Sequence, residues 1–343
     1  MLSVNLQFVS DGKILLRTLA IKELKEGHTA SYLQSILLEV LAAHNVELCQ
    51  VYSITTDNGT NLVKSVKSLM EDQQQQSGSD DEGEVTGDQN AELQLTSDDP
   101  FYDTRPWPGV LRGVRCAAHN LQLAVDDAMK KASVKATVAK AREVCEKLRC
   151  PNVMMMIKKL NLRKPILNCP TRWHSTHDML ERLLELRGFC VEVSATNRDL
   201  FLAGDEWSRI EDIVRALHPA NKTTLTLQSQ QSTVGDFYGA WMKCVIDTKK
   251  VDSTFTRSVV DALKARETLL LQNDAFKAAV FLDPRYDILL SEGDKQQARA
   301  HLSNTWANIV RFSRDANDCR ECPTSSLGSD DELDALLKEK EKS

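Results

Sequence analysis

No stretch of this 343-residue sequence approaches the roughly 18 consecutive apolar residues that a bilayer-spanning helix needs, so no membrane role is expected. The opening run Met1-Leu2-Ser3-Val4-Asn5-Leu6-Gln7 has neither a basic leader nor a sustained apolar core, and no secretory signal is read there. Several enzyme signatures are missing. There is no Gly-rich phosphate loop, no Gly-x-Ser-x-Gly elbow and no His-Glu-x-x-His, which removes the motif-level case for each of those chemistries. Aromatic residues are only 6% of the chain. The nine cysteines are odd in number and scattered, so they read as reduced thiols of a cytosolic or nuclear protein rather than a disulfide framework.

What is present is an ordinary globular composition, 42% hydrophobic and 27% charged, long enough for two sizeable domains or one domain with a large insertion. The net charge of -6 hides a segregation. Residues 71–99 hold ten Asp or Glu and no Lys or Arg, whereas residues 100–190 hold 17 Lys or Arg against 8 Asp or Glu, a net of +9. A basic block beside an acidic stretch points toward a polyanion such as DNA, although a charge-rich helical face is also what plain solvation produces.

The first 60 residues read as mixed α/β. Ser3–Val9 alternates apolar and polar, Ser10-Asp11-Gly12 is a turn, and Ile14–Ile21 is a second apolar run, which together predict a hairpin. Thr29 is placed to cap a helix whose apolar positions are Leu33, Ile36, Leu37, Val40 and Leu41. Val51–Thr56 follows as a strand ending at Asp57-Asn58-Gly59, and Leu62, Val63, Val66, Leu69 and Met70 start another helical stripe.

Residues 71–99, with Gln73–Gln76 and a Ser/Gly/Asp/Glu tract, bury too little apolar area to offset ordering entropy and are expected to form a disordered loop. Val110–Cys116 is expected to be a short strand, and His119–Lys131 a helix turning Leu121, Ala124, Val125, Ala128 and Met129 inward. Helices are then expected at 135–148, 152–160, 176–193, 206–218, 234–250, 256–272 and 295–312, with Pro151, Pro170 and Pro219 at boundaries and a loose acidic tail after Ser313. The resulting division is 1–70, an acidic loop 71–99, 100–134, a helical region 135–312 and a tail 313–343.

Three constellations carry chemistry. Asp57 sits at the C-terminal end of a strand, where an open α/β sheet places ligand groups, and hard cations such as Mg²⁺ favour carboxylate oxygens. The same residues equally make a plain Asp-Asn-Gly turn capping the next helix. Cys116-x-x-His119 offers two zinc donors and Cys319-x-x-Cys322 two more, but pairs so far apart make a zinc site unexpected. Arg172-Trp173 offers a phosphate clamp and a flat indole for an unpaired base; alternatively Trp173 packs the core while Arg172 reaches solvent. Trp207, Trp241 and Trp306 are expected in the core.

As a set, Tyr52–Asn61, Arg115–Leu123 and Cys169–Trp173, followed by Asp236–Trp241 and Ala278–Tyr286, resemble the hAT (hobo/Activator) transposase superfamily and the zinc-finger BED-type host proteins derived from it. The resemblance covers most of residues 1–312. It implies an α/β plus all-α fold, a ribonuclease H-like sheet interrupted by a large helical insertion, with the sheet incomplete here. It also implies a catalytic role for Asp57, as one of three acids that hold two divalent metals, with Cys116 and His119 beside it. Arg115, Arg172 and Trp173 would contact DNA, the indole beside a flipped base. The first acid would precede Met1, and the third would belong to a dimerisation segment that is not found. The chain therefore resembles a transposase shortened at both ends: nuclear, DNA-binding, inactive alone, and using Mg²⁺ or Mn²⁺ only in a longer, active form. Homo- or hetero-oligomers would need the missing segment. A working transposase completed by outside sequence and a helical protein-interaction module remain the alternatives.

Overall fold

The computed structural model describes residues 1–57, 59–75, 111–169, 172–227 and 231–318. The protein is mostly helical, 67%, with two small sheets. Strands β1 (Leu2–Ser10) and β2 (Lys13–Lys22) pair antiparallel, with Ser10 opposite Lys13. The two residues between them, Asp11 and Gly12, both have positive φ (50° and 71°), the turn whose twist matches a hairpin. Helix α1 (Ala30–Ala43) starts where the Thr29 side chain accepts the Tyr32 N–H, and the five apolar positions of its stripe are buried. His44, just past its end, bonds the Leu19 carbonyl and so ties the helix to β2.

Strand β3 (Ser53–Thr56) leads into helix α2 (Thr60–Gln75), and β4 (Arg112–Arg115) lies parallel to β3. Leu37, Val63, Val66, Leu69, Met70 and Leu111 make a small core here, on which Val4 of β1 and Ile54 of β3 both lean. The described strands form two separate pairs, not one continuous sheet. Helix α2 also runs to Gln75, inside the stretch expected to be a loop, and 76–110 lies outside the described residues.

From β4 onward a larger core is built by helices α3 (Ala117–Met129), α4 (Ala132–Leu148), α5 (Pro151–Lys159), α6 (Trp173–Glu185), α7 (Arg187–Val193), α8 (Gly204–Leu227), α9 (Val234–Lys249), α10 (Thr254–Leu270) and α11 (Asp274–Phe281). Helix α12 spans Glu292–Asp318. Pro151 and the Asn273 cap begin helices as their chemistry dictates.

Three expectations fail here. The 176–193 helix is divided at Leu186, whose N–H is shared between the Arg182 and Leu183 carbonyls. Pro219 does not end a helix but lies inside α8. Burial of Ala216, Leu217 and Ala220 holds that helix together despite the roughly 3 kcal/mol an interior proline costs. Trp306 is 68% exposed rather than in the core, and it belongs to the second compact unit, which begins at Ser303. Trp207 and Trp241 are buried as expected.

Long-range polar contacts tie the first unit together. Gln231 bonds both backbone atoms of Ile14 in the hairpin. Asn273 donates to the Gly113 carbonyl of β4 at 2.9 Å, and the Tyr52 hydroxyl lies 2.9 Å from His301 Nε2.

Candidate functional site

The parallel pairing decides what stands at the strand ends. Thr56 is in register with Arg115, and the Cys116 N–H donates to the Thr56 carbonyl at 2.8 Å. Asp57 and Cys116 therefore leave the two strands side by side, and α2 and α3 both begin at that end. This is the mouth at which open parallel strands present ligand groups. Asp57 is exposed, and its Oδ1 accepts the Gly59 N–H at 3.0 Å. A Cβ on Gly59 would lie 3.0 Å from that same oxygen, so glycine lets the turn close on the carboxylate. Cys116 occupies the cap position of α3 without a side-chain capping bond, and Cys116 and His119 are both half-buried.

Among the described residues, the further acids that a two-metal centre would need do not stand beside Asp57. Such chemistry needs carboxylates on both sides of an ion pair roughly 3.5–4 Å apart. Among the described residues no third donor joins either Asp57 or the Cys116–His119 pair; the one three-donor group is His177, Asp178 and Glu181 on α6. Nor is Asp127 available, since it pairs with Lys130 at 2.8 Å and with Arg266 of α10. Burial pulls the Asp127 pKa upward, but the hydrogen bonds from Lys130 and Arg266 hold it below the ordinary carboxylate range. Asp11 is in the hairpin turn. Cys319 and Cys322 lie outside the described residues.

Two of the three residues expected to contact DNA are not surface groups. Arg115 is buried in β4. Trp173 is 5% exposed, packed in the helical core and stacked on His174 at 4.3 Å between ring centroids. It opens α6 as part of the helical core. Arg172 alone is exposed. Its backbone is held by the loop before it, with its N–H donating to the Cys169 carbonyl and its own carbonyl accepting from Ser175 N–H and Oγ.

The downstream blocks turn out to be one piece of architecture. Arg285 bridges Asp236 of α9 and Asp283, holding both carboxyls below their usual range; for Asp236 the backbone N–H of Thr233 contributes most. Asp236 also completes a capping box with Thr233. Sequence reasoning matched these blocks to a family but missed their contact. The Gly235 and Gly239 spacing, one helical turn apart on α9, was the available signal.

A mostly helical chain with an acidic residue at the mouth of a short parallel strand pair is the class of protein defined by this fold and site. Comparison with known proteins narrows it. The family described as the ZBED1 RNase-like helical domain matches residues 114–216, from β4 into α8. "Zinc finger BED domain-containing protein 4" of Homo sapiens is 24% identical over 233 residues, covering 63% of this chain and 20% of that protein. "Putative AC transposase" of Zea mays is 23% identical over 340 residues, covering 92% of this chain and 38% of that protein. "Putative transcriptional regulator tpeD" of Talaromyces stipitatus is 22% identical, covering 65% of this chain and 27% of that protein. The chain is thus related to hAT-type transposases and to the zinc-finger BED proteins, as its motifs imply. It spans between a fifth and two fifths of the length of these relatives.

Proposed function

We propose that the protein is a domesticated, hAT transposase-like nuclear protein that binds DNA through its helical region and does not cut DNA by itself. The observation that carries the DNA half is a set of exposed cations. Lys131, Lys135, Lys158, Lys159, Lys164 and Arg172 are exposed, and among the described residues no acid pairs with them. Cations left unneutralised by the protein are the ones able to displace counterions from a phosphate backbone. We read the two small sheets as parts of an incomplete ribonuclease H-like sheet, since Val4 and Ile54 lean on one core without sharing a ladder. The names of the relatives, a transposase and a transcriptional regulator among them, support nuclear action.

The test is a salt titration of duplex binding. Affinity should fall as salt rises, with a log–log slope of about 0.9 for each phosphate contacted. Replacing Lys131, Lys135, Lys158 and Lys159 with Gln should flatten that slope. Binding that is absent, or insensitive to salt, removes the DNA reading. Incubation with a terminal-inverted-repeat duplex and Mg²⁺ or Mn²⁺ should give no cleavage. Cutting that disappears in Asp57→Ala would show that a second acid completes the site.

A further inference from the structure

We propose that His177, Asp178 and Glu181 on α6 form a binding site for a divalent transition-metal ion of the zinc type, distinct from the strand-end position of Asp57. One donor atom from each lies within 4.8 Å of the others. His177 is the independent pointer. Its side chain has no solvent exposure, yet neither ring nitrogen has a hydrogen-bond partner. A buried polar group left in that condition is destabilising, so such a ring is expected to have something to bind.

The imidazole faces the Asp178 carboxylate at ion-pair distance, a spacing that also suits two donors sharing one ion. Nδ1 of His177 is 3.7 Å from Oδ1 of Asp178, too far for a hydrogen bond. It is close to the roughly 3.4 Å that separates two donors each about 2.0–2.1 Å from a tetrahedral ion. Glu181 follows His177 by four residues, which places it on the same helical face. Both carboxylates are exposed, so they extend from the buried imidazole toward solvent and leave a route of entry. Across the packed interface, the exposed His218 of α8 brings a second imidazole ring to 6.5 Å, centroid to centroid. Two imidazoles on one tetrahedral ion need about 5 Å, a small rotation of an exposed side chain. His218 or a water thus fills the fourth position.

An imidazole nitrogen with two carboxylates favours zinc and its neighbours over Mg²⁺, which prefers six oxygens in strict octahedral order. With His218 engaged, the ion would join α6 to α8 two residues beyond the His174–Ser175 pair that follows Trp173. It would thereby fix the start of α6, the segment that carries the Arg172-Trp173 motif.

The experiment uses the full chain, stripped of metal with a chelator, titrated with Zn²⁺, Co²⁺ and Mg²⁺ by calorimetry and absorbance. Zinc should bind at one equivalent and raise the melting temperature, Mg²⁺ should do neither, and bound Co²⁺ should show no thiolate charge-transfer band. Glu181→Gln and Asp178→Asn alter exposed side chains and spare the fold; each should weaken zinc at least about tenfold, and His177→Gln should abolish binding. Unchanged zinc affinity in both carboxylate variants overturns the proposal. So does binding that is lost when the cysteines are alkylated and the three donors are intact, or a site that prefers Mg²⁺.

Discussion

Tyr286 is folded so closely over Gly239 that no side chain fits between them. A Cβ on Gly239 would come within 2.0 Å of the Tyr286 Oη and 2.3 Å of its Cζ. The ring stands edge-on to Tyr238 at 6.3 Å and lies under the Arg285 guanidinium at 5.0 Å, so displacing it disturbs both contacts. One helical turn earlier, a Cβ on Gly235 would reach within 1.9 Å of Asp283 Oδ2. The two glycines are what let α9 receive the Asp283–Tyr286 turn.

Gly239→Ala should therefore destabilise the protein by about 1–3 kcal/mol, the usual cost of overpacking, even though alanine favours helices. Urea denaturation of Gly239→Ala, Tyr286→Leu and the double variant measures it. The double variant should lose less than the sum of the two, since the shortened side chain at 286 gives the new methyl room. Strict additivity would mean that the two positions do not meet.

Asp127→Ala should cost about 1–3 kcal/mol by stripping Arg266 of its carboxylate partner inside the α3–α10 interface. The Nε and NH1 atoms of Arg266 already lack a partner there, so the remaining charge is poorly compensated. Adding Arg266→Met should recover part of the loss, because an apolar chain of similar length no longer carries a buried charge. Chemical denaturation of the three variants decides it, and a double variant less stable than Asp127→Ala would contradict the account.

Stability should fall as pH drops from about 6.5 toward 4. Burial pushes the His301 pKa down from its ordinary value of 6.5 to about 4, helped by Arg112 and Lys277 and opposed by Asp274. Between those values the unfolded chain binds the proton and the folded chain does not, so unfolding gains as the medium acidifies; below about 4 this contribution is complete. The neutral ring can accept the Tyr52 hydroxyl proton at Nε2, whereas the imidazolium can only donate there, with the Tyr52 oxygen accepting. The loss should amount to roughly 1–3 kcal/mol after allowance for solvent screening. Melting curves across that range should flatten in His301→Gln; an equally steep variant would place the titration elsewhere.

Trp173→Ala should cost about 3–5 kcal/mol in stability, as expected for a buried tryptophan. It should weaken binding to hairpin-tipped and plain duplex DNA alike, and Trp173→Phe should restore most of both. Denaturation and anisotropy titrations on the same samples provide the comparison. Selective loss on the hairpin-tipped DNA, with unchanged stability, would show that the indole leaves the core to stack on a base.

Local patterns carried far in this chain. The Asp11-Gly12 turn, the Thr29 cap and the α1 stripe each follow from chemistry spanning fewer than fifteen residues, and each appears where periodicity places it. Helix α11 was less legible. Its almost unbroken apolar run Ala275–Phe281 has no clear period, and only the Asn273 cap marks its start.

The sequence by itself determined the hairpin, most of the helices and the kinship with hAT transposases, because turn chemistry, apolar spacing and a set of short motifs are properties of neighbouring residues. Tertiary structure alone decided which polar groups those elements bury. It put Arg115 and Trp173 inside, carried α8 through Pro219, paired Asp127 with Arg266 across 139 residues, and left the His177 imidazole without a hydrogen-bond partner beside two carboxylates. The reason is physical: burial and ion pairing depend on which helix faces meet, and that is fixed by packing over the whole core rather than by any local window.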